Sequence, residues 1–424
     1  MFIQVANASN KNVCLTAGTI IATVSTIRTQ AIYSIDENNT TIKSKYKHVP
    51  LDLTSTVLSD QQKQIFQEFI NQNSDVFAND LSELGKCNNY YHSIITETEK
   101  PIQSQPYRTS PKAKLEIEKQ VKQMLKYDII EESISAYASP VVLVKKPNNE
   151  YRFAIDYRKL NAVTQLQTFP SMRLDDVFDA VGQTKAQIFS TLDLASGYWQ
   201  IALDERTKHK TAFITHDNLY QFKRMPFGLV NAPATFQMLM NMILKGLTWK
   251  HCLVYIDDII VWSDNFENHL KHLSLIFQRL RDANLTLKPL KCSFAKSEVN
   301  YLGHIISKDG IKVNPSKIDA VKSYPLPKNQ HDVRSFLGLA NYYRKFVKGY
   351  SKIALPLNRL LTKNTLFKWT QDCQTAFDSL KQALTNTPIL AYPDFQKQFI
   401  VSCDASGMAI SYDLSQIGDD DKEY

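Results

Sequence analysis

LVYIDDIIV, residues 253–261, is an apolar run split at its centre by two adjacent aspartates, Asp257 and Asp258. Short apolar runs on either side of a polar pair read as two strands joined by a tight hairpin turn. Aspartate favours turns wherever a chain reverses, so turn chemistry alone accounts for the pair when it is taken by itself. A third carboxylate alters that balance. Asp193 also sits at the end of an apolar strand-like run, in STLDLASGYWQI (190–201). An unpaired carboxylate in such a run is costly to bury. Like charges held close raise one another's pKa unless a cation neutralises them. A hard divalent ion with oxygen ligands, Mg2+ or Mn2+, answers that requirement. Three carboxylates suffice to hold two ions about 4 Å apart, as in phosphoryl-transfer sites.

Working outward, FSTLDL (189–194) predicts a strand and TAFITHDNLYQF (211–222) a hairpin. A helix follows over Ala234 to Leu247, then the CLVYIDDIIVWS hairpin and a helix over Phe266 to Ala283. The stripes Phe236, Leu239, Met240, Ile243, Leu244, Leu247 and Leu270, Leu273, Ile276, Phe277, Leu280 recur at helical spacing and mark core. Helices alternating with antiparallel hairpins imply an α+β domain with helices on one face of a small sheet. Upstream, VVLVKKPNNEYRFAIDYRKL (141–160) predicts two strands around Pro147-Asn148-Asn149, carrying Lys145, Lys146 and Arg152. Helices are expected over Lys112 to Tyr127 and from Leu58 onward, with an extended proline-rich arm at Pro101 to Pro111 between them. Residues 1–30 suit a small antiparallel sheet and 31–50 a polar linker.

The 424 residues carry a formal charge of +8, and 43% of them are hydrophobic, enough for more than one core. The positive charge is concentrated. Between Lys308 and Lys368, thirteen lysines and arginines stand against Asp309, Asp319 and Asp332. That block reads either as a tracker of a phosphate backbone or as a solvated surface. The six cysteines are scattered without metal-site spacing, and no apolar run approaches membrane-spanning length. No basic, apolar leader opens the sequence, so a reducing, intracellular setting is expected.

Taken in order, RFAIDYRKLN (152–161), FSTLDLASGYWQI (189–201), KTAF (210–213), MPFGLVNAPATF (225–236), YIDD (255–258), LKPLKCSF (287–294), YLGH (301–304), RSFLGLANYYRKF (334–346) and DAS (404–406) resemble the reverse transcriptase of gypsy-type LTR retrotransposons. The resemblance implies a right-hand polymerase fold of fingers, palm and thumb followed by the first strands of a ribonuclease H-like domain. The expected layout is an N-terminal β segment and linker (1–50), a helix and extended arm (51–110), fingers and palm (111–306), thumb (307–370) and an incomplete ribonuclease H-like domain (371–424). It implies an RNA- and DNA-templated DNA polymerase, part of a retrotransposon polyprotein acting in a cytoplasmic particle. Its partners would be RNA template, DNA primer/template duplex and dNTPs, with two Mg2+ or Mn2+ ions.

The same resemblance assigns roles. Asp193, Asp257, Asp258 and the backbone of Leu194 would hold the metals, and Tyr198 would be the steric gate under the incoming sugar. Arg152 with either Lys145 or Lys146 would grip the triphosphate; Phe227 and Gly228 would line the nucleotide pocket. Lys291 would protonate departing pyrophosphate, or is simply a solvated lysine. Tyr301, Leu302, Gly303 and His304 would hold the primer terminus, and Tyr342, Tyr343, Arg344, Lys345 and Lys348 would contact the duplex backbone. Of the four acids a ribonuclease H site needs, only Asp404 is in place, and the acids at 419–421 and 423 read as a solvated tail, so hybrid cleavage by this chain alone is not expected. Ala154 stands where relatives usually carry Cys, and the fingers turn lacks the usual Gly. A catalytically inactive nucleic-acid-binding fragment is the competing reading.

Overall fold

Four antiparallel strands form the sheet beneath the aspartates, in the spatial order Ser293–Lys296, Ile188–Asp193, Asp258–Ser263, Cys252–Tyr255. The structure is a computed structural model that describes residues 46–145, 151–169, 173–386, 389–405, 410–418 and 421–423. Tyr46–Tyr424 forms one compact unit. The sheet expected in residues 1–30, Lys146 and the turn at 147–149 lie outside the described residues.

The palm strands are apolar at nearly every position because both faces of the sheet are covered. Leu192, Val254, Ile259 and Val261 join a core with Phe236, Leu239 and Met240 of helix Ala232–Ile243 and with Leu273, Ile276, Phe277 and Leu280 of helix Phe266–Asp282. Phe189, Leu253, Ile260 and Trp262 face the other way, into a second core with Phe178, Tyr301, Phe336 and Leu337. The expectation of helices on one face is corrected: helix Leu174–Gly182 and the following small sheet and helices cover the opposite face. Strands buried on both sides read as continuous apolar runs, not as alternation.

The fingers carry a five-stranded sheet in the order Ile130–Glu132, Leu219–Phe222, Phe213–Ile214, Ser139–Lys145, Tyr151–Ile155. Helix Pro111–Lys126 packs on it through Ile117, Val121 and Met124; Ser110 caps its first turn by accepting from the Ala113 N–H, and Pro111 supplies a first-turn residue that needs no donor. Upstream, helix Asp60–Gln72 starts in a capping box between Ser59 and Gln62 and buries Phe66 and Ile70 completely. Ile65, the residue before Phe66, is exposed.

Beyond the palm, the strands Glu298–Tyr301, His304–Ser307 and Gly310–Val313 form a small antiparallel sheet, followed by helices Pro315–Lys322, Gln330–Tyr342 and Tyr350–Arg359. Helix Gln371–Thr385 shares their core through Phe377, Leu380 and Leu384. A two-stranded antiparallel ribbon, Ile400–Ala405 with Ile410–Ser415, comes last. Among the described residues, no helix is long and apolar enough to cross a membrane.

Candidate active site

Strand pairing sets the geometry of the carboxylates. Asp193 and Asp258 are direct register partners, and Asp258 also pairs with Tyr255, so Ile256 and Asp257 form a two-residue hairpin loop. Ile256 takes the left-handed conformation, φ +55°. For a β-branched residue that costs on the order of 1–3 kcal/mol and persists only where its surroundings enforce it. Opposed like charges on neighbouring strands destabilise the pair. Lys291 answers them: its Nζ lies 3.1 Å from both Asp193 carboxylate oxygens. Burial raises the Asp193 pKa, Lys291 opposes this, and Asp257 adds to it. Burial, then Asp257 and Asp193, lift Asp258 to about 6.

These carboxylates fit a hard divalent cation. The donors are all oxygens, burial together with neighbouring carboxylates raises the pKa of Asp193 and Asp258, and an ammonium already stands on Asp193. They are not fully drawn together. Among the described residues, the only three His, Cys, Asp or Glu ligand atoms within 4.8 Å of one another belong to Glu118, His216 and Asp217 of the fingers.

The aspartate hairpin opens into a cleft of about 920 Å³ lined by Arg152, Leu194, Tyr198, Phe227, Asp257 and Lys291, among others. Five separate stretches of sequence thus meet at one cavity. The chain enters it through Ser196, at φ +46°, and a 3-10 turn over Gly197–Gln200. Gly197 has no alternative there, since a Cβ would come 2.8 Å from the Phe236 ring. Tyr198 then packs against Phe227 at 5.1 Å and Phe236 at 5.5 Å between ring centroids. Burial and the neighbouring Asp257 push its hydroxyl pKa up to about 12, keeping it neutral. Phe227 is exposed, and Gly228 adopts φ +97°. The Leu194 backbone is bridged to Leu287. Lys145 and Arg152 are exposed on adjacent fingers strands, but only Arg152 lines the cleft.

The residues expected at the primer terminus and along the duplex separate into two sets. Leu302 (φ +48°) and Gly303 (φ +80°) form the turn and are partly exposed. Tyr301 and His304 are buried, and the Tyr301 hydroxyl donates to the Asp258 carbonyl at 3.3 Å. Tyr342 is exposed and donates to the Leu302 carbonyl at 2.6 Å. Tyr343 is buried and donates to the Gly303 carbonyl at 3.2 Å. Tyr301, His304 and Tyr343 thus lie beneath the Leu302-Gly303 turn and brace it. Arg344, Lys345 and Lys348 are exposed, although Lys345 pairs with Asp175 at 2.7 Å and lies over the Phe178 ring. Strand Ile400–Ala405 carries Asp404.

Sequence reasoning missed several polar side chains that brace the site. Fully buried Gln200 donates to the Ala195 and Thr286 carbonyls, both at 2.8 Å, and accepts from the Thr286 N–H at 2.7 Å. Asn161 donates to the Gly228 carbonyl at 2.9 Å and accepts from the Val230 N–H at 3.0 Å. Arg224, buried, donates to the Gly85 and Trp199 carbonyls. For Gln200 the sequence signal is a lone polar residue inside an apolar and aromatic run, GYWQIAL.

Residues 144–306 match the sequence model described as reverse transcriptase (RNA-dependent DNA polymerase), and 369–424 match the RNase H-like domain found in reverse transcriptase. The retrovirus-related Pol polyprotein from transposon 297 of Drosophila melanogaster is 46% identical over 338 residues, 78% of this chain and 32% of that protein. The chain belongs to the reverse transcriptase family of gypsy-type Pol polyproteins. The Pol polyprotein from transposon gypsy of the same fly is 36% identical over 87% of the chain. This reverse transcriptase chain spans about a third of the length of such relatives, 32% and 37% of these two. Its fold is that of foamy viral protease-reverse transcriptase: a complex of that protein with ds DNA superposes with a TM-score of 0.78 at 24% identity, covering 88% of this chain and 68% of that one. A complex with RNA/DNA hybrid gives 0.74 at 23% identity, covering 87% and 50%.

Proposed function

We propose that the chain copies RNA and DNA templates into DNA, extending a primer 3′-hydroxyl with dNTPs by a two-metal-ion mechanism. The observation that carries this reading is the register pairing of Asp193 with Asp258, with Asp257 on the adjoining turn lining the cleft that also holds Arg152 and Tyr198. Asp193, Asp257, Asp258 and the Leu194 carbonyl would hold the cations. Bound there, Mg2+ or Mn2+ supplies activation of the 3′-hydroxyl and neutralises charge on the leaving pyrophosphate. Arg152 pairs with the triphosphate, whose charge a guanidinium recognises through paired hydrogen bonds. Tyr198, fixed between Phe227 and Phe236, fills the space a ribose 2′-hydroxyl would need. Lys291, whose ammonium lies on Asp193, would supply a proton to the leaving pyrophosphate.

The exposed Arg344 and Lys348, and the basic stretch around them, track the phosphate backbone of the duplex whatever its sequence. That the related foamy viral enzyme is found with ds DNA and with RNA/DNA hybrid supports the same partners here. The test is primer extension on RNA and on DNA templates with Mg2+, with and without chelator. Chelator-sensitive dNTP incorporation on both templates is expected. Salt-sensitive binding of primer-template without extension would assign the chain to the non-catalytic reading instead.

A further inference from the structure

Among the described residues the strand Cys252–Tyr255 is an edge strand, with no neighbouring strand to pair with the backbone groups on its outer side. Two of those groups, the Val254 carbonyl and the Ile256 N–H, belong to the approach and the first residue of the aspartate turn. Both are taken by one side chain. Gln237, buried on helix Ala232–Ile243, donates through Nε2 to the Val254 carbonyl at 2.9 Å and accepts through Oε1 from the Ile256 N–H at 2.6 Å. Its second N–H donates to Asn241 Oδ1 at 3.1 Å, which fixes the orientation of the amide. A carboxamide offers one donor and one acceptor at the separation a strand backbone presents, so Gln237 replaces the missing strand at the point where the chain is strained.

Ile256 is that point, at φ +55° immediately before Asp257. A β-branched residue leaves the left-handed region unless it is held there, and relaxation would swing the Asp257 carboxylate away from Asp193 and Asp258. We infer that Gln237 is a positioning residue for catalysis: its amide clamps Ile256 in the left-handed conformation and thereby sets Asp257 for metal binding. The adjacent residue, Phe236, packs against Tyr198, so one helix turn sets the metal side and the sugar side of the cleft together. The inference rests on the polymerase reading for its role in turnover, but not for its role in metal binding.

A double-mutant cycle tests it, because Ile256→Gly removes the strain the clamp resists. Gln237→Met is expected to weaken Mn2+ binding to the free protein and to lower kcat about 10- to 100-fold, with KM for primer-template nearly unchanged, as small displacements of reacting groups do. In the Ile256→Gly background the same change is expected to cost only about 2- to 3-fold by either readout. Equal losses in both backgrounds, or losses that track thermal stability instead of metal binding, would overturn the clamp. Coupled Mn2+ affinities in a protein that never extends a primer would keep the clamp and remove the polymerase reading. Normal extension with uncoupled substitutions would do the reverse.

Discussion

Asp193 and Asp258 face each other as register partners on adjacent antiparallel strands, and Lys291 bridges both oxygens of Asp193 at 3.1 Å. The pairing places two negative charges where cross-strand neighbours normally avoid them. Lys291 offsets part of that repulsion through its ammonium on Asp193.

Proton and metal therefore compete. Asp258 is lifted to about 6, chiefly by burial and by Asp257 and Asp193, so it is largely protonated below that pH and must release its proton to bind metal. Mn2+ affinity of the free protein is expected to rise with pH through about 6 and to level off near neutrality. Calorimetric titration in two buffers of different ionisation enthalpy reads the proton release directly. A pH-independent affinity between pH 5 and 7.5, on the order of the range over which the group titrates, would contradict it.

Tyr198 is held between Phe227 and Phe236 at the cleft wall. Tyr198→Ala opens that wall, and discrimination against ribonucleotides is expected to fall about 10²-fold or more, while Tyr198→Phe keeps most of it. Competing incorporation of ribo- and deoxynucleotides measures the ratio. Unchanged selectivity in the alanine variant would remove Tyr198 from its role.

Gln200 is fully buried, and its amide closes hydrogen bonds to Ala195 and Thr286. Gln200→Leu leaves those backbone groups unpaired in the core at a cost of about 2–4 kcal/mol. Urea unfolding reads the difference; a loss below about 0.5 kcal/mol, the scale of an ordinary surface substitution, would show that the staple carries little.

Three buried histidines set the acid limit. Burial holds His92 and His304 near about 4 and His269 near about 3, against an ordinary 6.5. Because each folded-state pKa is depressed, the unfolded chain binds protons more readily below 6.5. Their contribution is complete above that pH and is lost as pH falls toward 4. Denaturant midpoints are expected to drop over this window, with a shallower slope in a His269→Gln variant. A flat profile there would contradict the neutral, buried assignment.

What could be read from sequence followed the cost of each residue. Charges inside apolar strands are expensive, so Asp193, Asp257 and Asp258 announced themselves, and the helical stripes of 232–243 and 266–282 gave the core. Gln200, Gln237 and Asn161 did not, because a single amide in an apolar run reads the same whether it faces solvent or staples a loop. The burial of Tyr301, His304 and Tyr343 was not legible either, because aromatic and polar groups beside a basic block read the same whether they are exposed or packed. Amphipathic helices do not declare which core they join, so the packing of Gln371–Thr385 on its predecessors was also not legible.

The most direct test of the account is primer extension by the protein carrying Asp257→Asn and Asp258→Asn, alongside the unaltered chain, on an RNA template with Mg2+. Extension by the unaltered chain that disappears in the variant, with primer-template affinity retained, is the predicted result. Extension that survives the loss of both carboxylates would contradict it.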